Sequence, residues 1–171
     1  MTLTLLIGGA RSGKSALAVR RALAYSDVVF LATGEARDEE MAERIDRHRD
    51  ERPAGWHTVE EPLRLAEAIG EVAVDACLIV DCLSLWVANL IEHPAAEIER
   101  EAIAAAELAA HRSGPTIAVT NEVGLGIVPV TPLGRAYRDA LGRVNAIWAS
   151  AAAEALFVVA GRTLRLERPD A

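Results

Sequence analysis

The chain has 171 residues, of which 51% are hydrophobic and 25% charged, and its formal net charge is −7. This length predicts a single domain, residues 1–171, with its own core, and the hydrophobic content excludes a disordered chain. The negative balance argues against a nucleic-acid partner, which normally leaves a basic surface on the protein.

Cys77 and Cys82 are the only two cysteines. On the strand predicted for residues 77–81 they would lie roughly 16 Å apart, too far for a disulfide. We therefore expect reduced thiols and a cytoplasmic setting. No stretch approaches the ~20 apolar residues of a membrane span, and the first residues lack the features of a signal peptide.

The most informative motif occupies residues 8–15, Gly-Gly-Ala-Arg-Ser-Gly-Lys-Ser. An apolar run precedes it and helix-forming residues follow it, which is the strand–loop–helix context that a phosphate-binding loop requires. Backbone N–H groups of such a loop and the helix N-terminus bind phosphates, while Lys14 would reach the outer phosphates and Ser15 would bind Mg²⁺. The predicted nucleoside triphosphate site comprises Gly8, Gly9, Ala10, Arg11, Ser12, Gly13, Lys14 and Ser15.

The next segment predicts a buried strand and a charged helix. The apolar run 28–32 is typical of a parallel strand, and it ends at Thr33-Gly34-Glu35, a second loop on the phosphate side. A helix is predicted from Glu39 to about Glu51, because Asp38 suits its N-cap and Pro53 disfavours its continuation.

This helix carries His48 among four arginines, Arg44, Arg47, Arg49 and Arg52. Spacing alone favours a solvated charged helix with i,i+4 ion pairs. The alternative is an anion-facing surface with a histidine that acts on a phosphate.

The middle of the chain predicts an extended piece over 56–62, a helix over 63–72 and a strand over 77–81. Four apolar residues followed by Asp81 form the pattern that places a carboxylate near Mg²⁺ in phosphate-loop proteins. Ser84 is predicted to cap a helix that runs through Leu90.

The last third predicts a helix over 95–111, a strand over 115–120 and a helix over 133–154. His93 and His111 are expected to be surface residues at helix ends. The long loop 121–129 carries Glu122, and loops of this length are more often functional than idle. Two closing strands, 156–160 and 163–167, are joined by Gly161-Arg162, a two-residue hairpin signal.

Strands alternating with helices predict an α/β fold: a P-loop NTPase-like, doubly wound, mostly parallel sheet with an antiparallel C-terminal edge strand. Ligands in such sheets collect at the carboxyl ends of the strands. The predicted segments there are 8–15, 33–35, 60–61, Asp81 and 121–122. They indicate phosphoryl or nucleotidyl transfer to an acceptor that the residues alone do not name.

Two other functions fit these motifs. A single-activity small-molecule kinase shares the glycine loop and the strand that ends in an acid, and it would leave no nucleotide bound covalently to the protein. A switch or motor would show slow hydrolysis that a protein partner stimulates. No stretch of this chain suggests a partner surface or a basic groove of the kind that a switch or motor needs.

The chain carries further motifs in a recognisable order. They are Ala-Thr at 32–33, Asp-Glu-Glu-Met at 38–41, Arg44-Ile45 before His48 and Arg52-Pro53, then Trp56, Thr58 and Glu60, Asp-Cys-Leu-Ser-Leu-Trp-Val-Ala-Asn-Leu at 81–90, Thr-Asn-Glu-Val-Gly-Leu-Gly-Ile-Val-Pro at 120–129, and Arg138-Asp139 with Gly-Arg-Val-Asn at 142–145. Together with the glycine loop they resemble the bifunctional adenosylcobinamide kinase/adenosylcobinamide-phosphate guanylyltransferases of cobalamin biosynthesis. The Asn-Glu-Val-Gly loop is far more specific than the glycine loop alone.

The resemblance implies two reactions. The γ-phosphate of ATP or GTP passes to adenosylcobinamide, and GMP from GTP then passes to adenosylcobinamide phosphate through a covalent guanylyl-histidine. His48 is the only histidine in its helix, so the resemblance gives it the covalent role and reverses the preference drawn from spacing. A homo-oligomer, specifically a trimer, is also implied.

The resemblance also extends the set of site residues. His48 and Lys14 are the expected catalytic residues. Further nucleotide contacts are expected from Thr33, Gly34, Glu35, Arg49, Asp50, Glu51, Arg52, Glu60 and Asp81. The expected Mg²⁺ ligands are Ser15, Asp81 and Glu122, and which of Asp81 and Glu122 acts as base rather than ligand stays open.

Overall fold

The computed structural model describes residues 3–35, 39, 43, 49 and 52–168. Its strands are β1 (Leu3–Gly8), β2 (Val28–Ala32), β3 (His57–Glu60), β4 (Cys77–Asp81), β5 (Thr116–Asn121), β6 (Glu154–Val159) and β7 (Arg162–Arg165). The helices with described bounds are α1 (Lys14–Ala22), α2 (Leu65–Glu71), α3 (Leu83–Asn89), α4 (Ala95–His111) and α5 (Pro132–Ala151).

The seven strands form one sheet in the order β3-β2-β4-β5-β1-β6-β7. All neighbours pair in parallel except β6 and β7, which confirms the predicted fold class. In the registers, Gly8 lies beside Asn121, and Ala32 lies between Glu60 and Asp81. The predicted site segments therefore do meet at one edge of the sheet.

Apolar side chains cover both faces of the sheet. One face packs against α2, α3, α4 and α5, and the other packs against α1. β2 is buried throughout, as is β4 up to Asp81, because central strands of a parallel sheet have helices on both sides. This explains why their sequences are continuous apolar runs and why their predicted bounds are confirmed.

Several predicted bounds differ from the structure by one or two residues, and three predictions about where elements begin or end are wrong. Helix α5 ends at Ala151 and not at Glu154, because Glu154 pairs with Thr4 in the sheet. Ser84 does not cap α3: it lies inside the helix, buried, and Cys82 is the N-cap residue. The hairpin loop is one residue earlier than predicted, since Val159 pairs with Arg162.

The helix predicted over 39–51 lies almost wholly outside the described residues. The three residues described there, Glu39, Glu43 and Arg49, have helical backbone. The predicted His48, Asp50 and Glu51 lie outside the described part of the chain.

The expectation for the cysteines is met. Cys77 and Cys82 are free, buried thiols. Among the described residues, none of the helices combines the length and the apolar character needed to cross a membrane.

Candidate active site

The glycine loop joins the end of β1 to the start of α1, as predicted. Gly13, which precedes Lys14, has φ 98°, a left-handed conformation that favours glycine. Arg11 also has a positive φ of 55°, which is uncommon for a residue with a side chain. These two positions turn the chain sharply between strand and helix.

Gly8 is required by close packing. A Cβ on Gly8 would lie 2.1 Å from the backbone oxygen of Val158 in β6, whereas a Cβ on Gly9 would meet nothing within 4 Å. The loop therefore begins pressed against the backbone of a neighbouring strand, which leaves no room for a side chain at residue 8.

Lys14 places its charge within the loop. Its side chain is buried, and Nζ donates hydrogen bonds to the Gly9 carbonyl at 2.7 Å and to Ser12 Oγ at 3.3 Å. A buried ammonium held across a turn of backbone is a preformed site for an anion, because phosphate oxygens can replace these acceptors.

Glu122 is attached directly to the glycine loop. Its backbone N–H donates to the Gly8 carbonyl at 3.0 Å, and its carboxylate accepts from the N–H of Gly124. Asn145 of α5 holds the preceding residue, since its Nδ2 donates to the Asn121 carbonyl at 3.0 Å. The β5 loop is thus fixed on both sides at the edge of the phosphate-binding loop.

Every polar group of Thr33 has a partner. Its hydroxyl donates to the Cys82 carbonyl at 2.7 Å and accepts from the Cys82 N–H at 2.9 Å. Its own N–H donates to the Asp81 carbonyl, and its carbonyl accepts from Asn89. Thr33 therefore fastens the end of β2 to the end of β4, and its predicted nucleotide contact stays a prediction.

Charged groups gather at the other side of this edge. Arg49 forms an ion pair with Glu60. The Arg52 guanidinium lies 3.9 Å from the centroid of the Phe30 ring. Burial lowers the pKa of Arg52, and the nearby Asp81 carboxylate opposes that shift. Arg49, Arg52, Glu60 and Asp81 therefore form one charged cluster, and their predicted nucleotide contacts stay a prediction.

The chain matches one protein family almost from end to end. The family described as "Cobinamide kinase / cobinamide phosphate guanyltransferase" (CobU) matches residues 4–166. The chain belongs to this family.

Curated relatives agree with the family. A protein of Pseudomonas aeruginosa named bifunctional adenosylcobalamin biosynthesis protein CobP is 43% identical, over 95% of this chain and 96% of its own. Proteins named bifunctional adenosylcobalamin biosynthesis protein CobU are 37% identical in Escherichia coli and 38% in Salmonella typhimurium, each over 95% of this chain and 98% of its own.

A solved structure is similar with much lower sequence identity. It is the P4 protein from bacteriophage phi6 in complex with ADP, with a TM-score of 0.47 and 12% identity, over 95% of this chain and 52% of that chain. A similarity this low says nothing about activity.

Other predicted site residues of this CobU-family chain lie on the glycine loop or on the second loop, which follows β2. Ala10 and Arg11 are exposed, Ser12 is buried and Ser15 is half-buried at the start of α1. In the second loop Gly34 is half-buried and Glu35 is exposed.

The oxygen groups in this site suit Mg²⁺. Ser15 offers a hydroxyl and Asp81 a carboxylate, and Mg²⁺ usually takes one or two protein ligands together with phosphates and water. The described residues contain no group of three or more His, Cys, Asp and Glu side chains that could hold a metal ion.

Several positioning residues in α3 were not predicted from the sequence. Asn89 Nδ2 donates to the carbonyls of Thr33 and Pro62, so it joins the ends of β2 and β3. Trp86 Nε1 donates to the Leu63 carbonyl at 2.9 Å. The sequence offered one signal for Asn89 and Trp86, since both are polar residues in an otherwise apolar helix. A buried amide or indole N–H must find a hydrogen-bond acceptor.

Ser84 is the centre of a second network. Its hydroxyl lies 2.9 Å from Cys82 Sγ and accepts from Asn121 Nδ2 at 3.1 Å. Its carbonyl accepts from the Tyr137 hydroxyl at 3.1 Å, and burial raises the pKa of Tyr137 to about 12. The ends of β4 and β5 are joined through this serine.

Proposed function

We propose that this chain phosphorylates adenosylcobinamide with ATP or GTP and then converts the product to adenosylcobinamide-GDP. The single observation that carries the proposal is a phosphate-binding loop, with Lys14 held across it, in a chain of the CobU family. The first product is the acceptor of the second reaction, so one enzyme completes both steps.

In the kinase step the aminopropanol hydroxyl of adenosylcobinamide attacks the γ-phosphorus, and the nucleoside diphosphate leaves. This reaction depends mainly on positioning and on charge stabilisation. Lys14 and the N–H groups of residues 8–15 hold the phosphates, and Asp81 or Glu122 accepts the hydroxyl proton. When bound, Mg²⁺ with ligands from Ser15, Asp81 and Glu122 would offset the phosphate charge.

In the transfer step a nitrogen of His48 forms a bond to the α-phosphorus of GTP, and pyrophosphate leaves. A phosphate oxygen of adenosylcobinamide phosphate then displaces His48 and gives adenosylcobinamide-GDP. The attacking imidazole must be neutral, and a reference pKa of about 6.5 for histidine leaves most of it so above pH 7.

The cluster beside Phe30 would bind the nucleoside. Arg52 Nε is buried and has no hydrogen-bond partner among the described residues, which supports a contact with a ligand oxygen. Glu60 and the segment 49–52 would contact guanosine or ribose, with Thr33, Gly34 and Glu35 on the neighbouring loop.

The direct test supplies the purified chain with Mg²⁺, ATP, GTP and adenosylcobinamide and separates the corrinoid products by chromatography. Wild type should yield the phosphate first and then the GDP derivative. His48→Ala should accumulate the phosphate, and Lys14→Ala should form no phosphate. Absence of any phosphorylated corrinoid with the wild-type enzyme would refute the proposal.

We further propose that the chain assembles as a trimer. An apolar loop supports a contact between copies of the chain: Leu125, Ile127 and Val130 are 80%, 97% and 92% exposed. The number three comes from the family resemblance. Exposed apolar patches commonly mark contact surfaces between proteins. Light scattering should give the mass of three 18.3 kDa chains. Ile127→Asp should dissociate the trimer. Val74→Asp, at an exposed valine outside this loop, should not. A monomeric wild type would refute this assembly.

A further inference from the structure

The C-terminal hairpin makes an unusually tight turn. β6 and β7 pair so that Val159 faces Arg162, which leaves only Ala160 and Gly161 between them. Both have left-handed backbone, with φ 50° and 73°. Two consecutive residues of positive φ are the pattern of a type I′ turn, which suits the twist of a two-stranded antiparallel ribbon.

This turn contacts the phosphate-binding loop. The Gly161 N–H donates a hydrogen bond to the Ser12 carbonyl at 2.9 Å. A Cβ on Gly13 would lie 3.5 Å from Gly161 Cα, so a side chain at residue 13 would already be in van der Waals contact with the turn. With the Val158 oxygen beside Gly8, the end of β6 and its turn flank the loop at both its first glycine and its last.

The hydrogen bond fixes the orientation of one peptide group. The Ser12 carbonyl and the Gly13 N–H belong to the same planar trans peptide, so they point in opposite directions. Because the carbonyl points at Gly161, the Gly13 N–H is turned away from the hairpin. N–H groups that precede a helix N-terminus are the donors that bind phosphate in such loops.

β7 itself buries little. All four of its residues are exposed, including Leu164 at 63%. Burial of apolar side chains therefore does not explain why β7 pairs at the edge of the sheet. The Ala160–Gly161 turn, in contrast, makes a specific contact with the glycine loop.

We propose that the Ala160–Gly161 turn is a positioning element for the nucleotide, holding the Gly13 N–H towards its phosphates through the bond from Gly161 to Ser12. The proposal rests on the proposed function, because it assumes that nucleotide binds at residues 8–15. Gly161 would therefore raise the affinity for triphosphates although it does not contact them.

Substitutions at Gly161 test this role. Gly161→Pro removes the N–H and cannot adopt a positive φ, whereas Gly161→Asn keeps the N–H and tolerates the left-handed region. Leu164→Ala changes the same hairpin away from the loop and is the matched control. Affinity for Mg·GTP and Mg·ATP is measured by calorimetry, and the melting temperature of each variant is measured in parallel.

We expect Gly161→Pro to bind both triphosphates about tenfold more weakly, the scale of one hydrogen bond. Gly161→Asn and Leu164→Ala should stay within about twofold of wild type. A folded Gly161→Pro chain with wild-type affinity would overturn the proposal.

A second measurement uses only the wild type, in case Gly161→Pro does not fold. With ¹⁵N-glycine labelling, hydrogen exchange at the Gly161 amide should slow about tenfold in saturating Mg·GTP, because coupling between two sites is reciprocal. Binding of Mg·GTP without any change at Gly161 would also overturn the proposal. Failure of the wild type to bind either triphosphate would instead refute the nucleotide site itself, and this proposal with it.

Discussion

Two buried threonines differ in the hydrogen bonding of their hydroxyl groups, and the consequence can be measured. Thr33 and Thr116 are both 0% exposed. The Thr33 hydroxyl makes two hydrogen bonds to Cys82, whereas the Thr116 hydroxyl has no partner among the described residues. Replacing each by valine exchanges a hydroxyl for a methyl group of similar size, so the two variants isolate the hydrogen bonds.

The expected changes have opposite sign. In Thr33→Val the buried N–H of Cys82 loses its acceptor and its carbonyl keeps only the bond from Trp86. We expect a loss of about 2–4 kcal/mol in the free energy of unfolding, mostly from the unsatisfied N–H. Thr116→Val removes an unpaired buried hydroxyl from a strand that favours β-branched residues, so we expect a gain of about 0.5–2 kcal/mol.

Urea unfolding followed by circular dichroism measures the difference. With an m-value of about 2 kcal/mol/M, a gap of about 4 kcal/mol separates the two midpoints by about 2 M. Thr33→Ser keeps the hydroxyl and should lie between Thr33→Val and wild type. The reasoning fails if both valine variants shift the midpoint in the same direction by the same amount.

Two further predictions concern glycines and thiols. Gly8→Ala should lower the free energy of unfolding by at least about 2 kcal/mol in a thermal melt, because the Val158 backbone cannot move aside. Gly9→Ala should change it by less than about 1 kcal/mol. Equal effects of the two substitutions would contradict the packing around Gly8. Burial raises the pKa of both Cys77 and Cys82 from 9.0 to about 11, so a thiol reagent at pH 8 should modify neither in the folded chain and both in urea. The unfolded thiols ionise first, so stability should fall between pH 9 and about 11, and less so in the Cys77→Ala/Cys82→Ala variant, which serves as the control.

The elements that could be predicted from sequence are those whose signal is local. β2 and β4 are continuous apolar runs, and both have their predicted bounds. The predicted end of α5 was wrong because Glu154 pairs in the sheet with Thr4, a residue far from it in sequence. A local signal also went unused: Thr131 followed by Pro132 caps α5, and the Thr131 side chain accepts from the Gly134 N–H.

The candidate site shows the same division. The glycine loop could be found because its residue types and flanking elements are contiguous. Ser84 was taken for a cap by its residue type, but its hydroxyl contacts Cys82 and Asn121, which only the folded sheet brings near. The contact between Gly161 and Ser12 likewise joins the two ends of the chain, and no sequence pattern marks it.

The covalent role of His48 can be tested with GTP labelled at the α-phosphate, with wild type and His48→Ala in parallel. After denaturation, the account predicts label on wild type only, stable to base and released by acid, as a phosphoramidate of histidine should be. A wild-type chain that binds GTP but takes up no label would contradict the covalent role of His48. Label of equal amount on His48→Ala would place the intermediate on another residue.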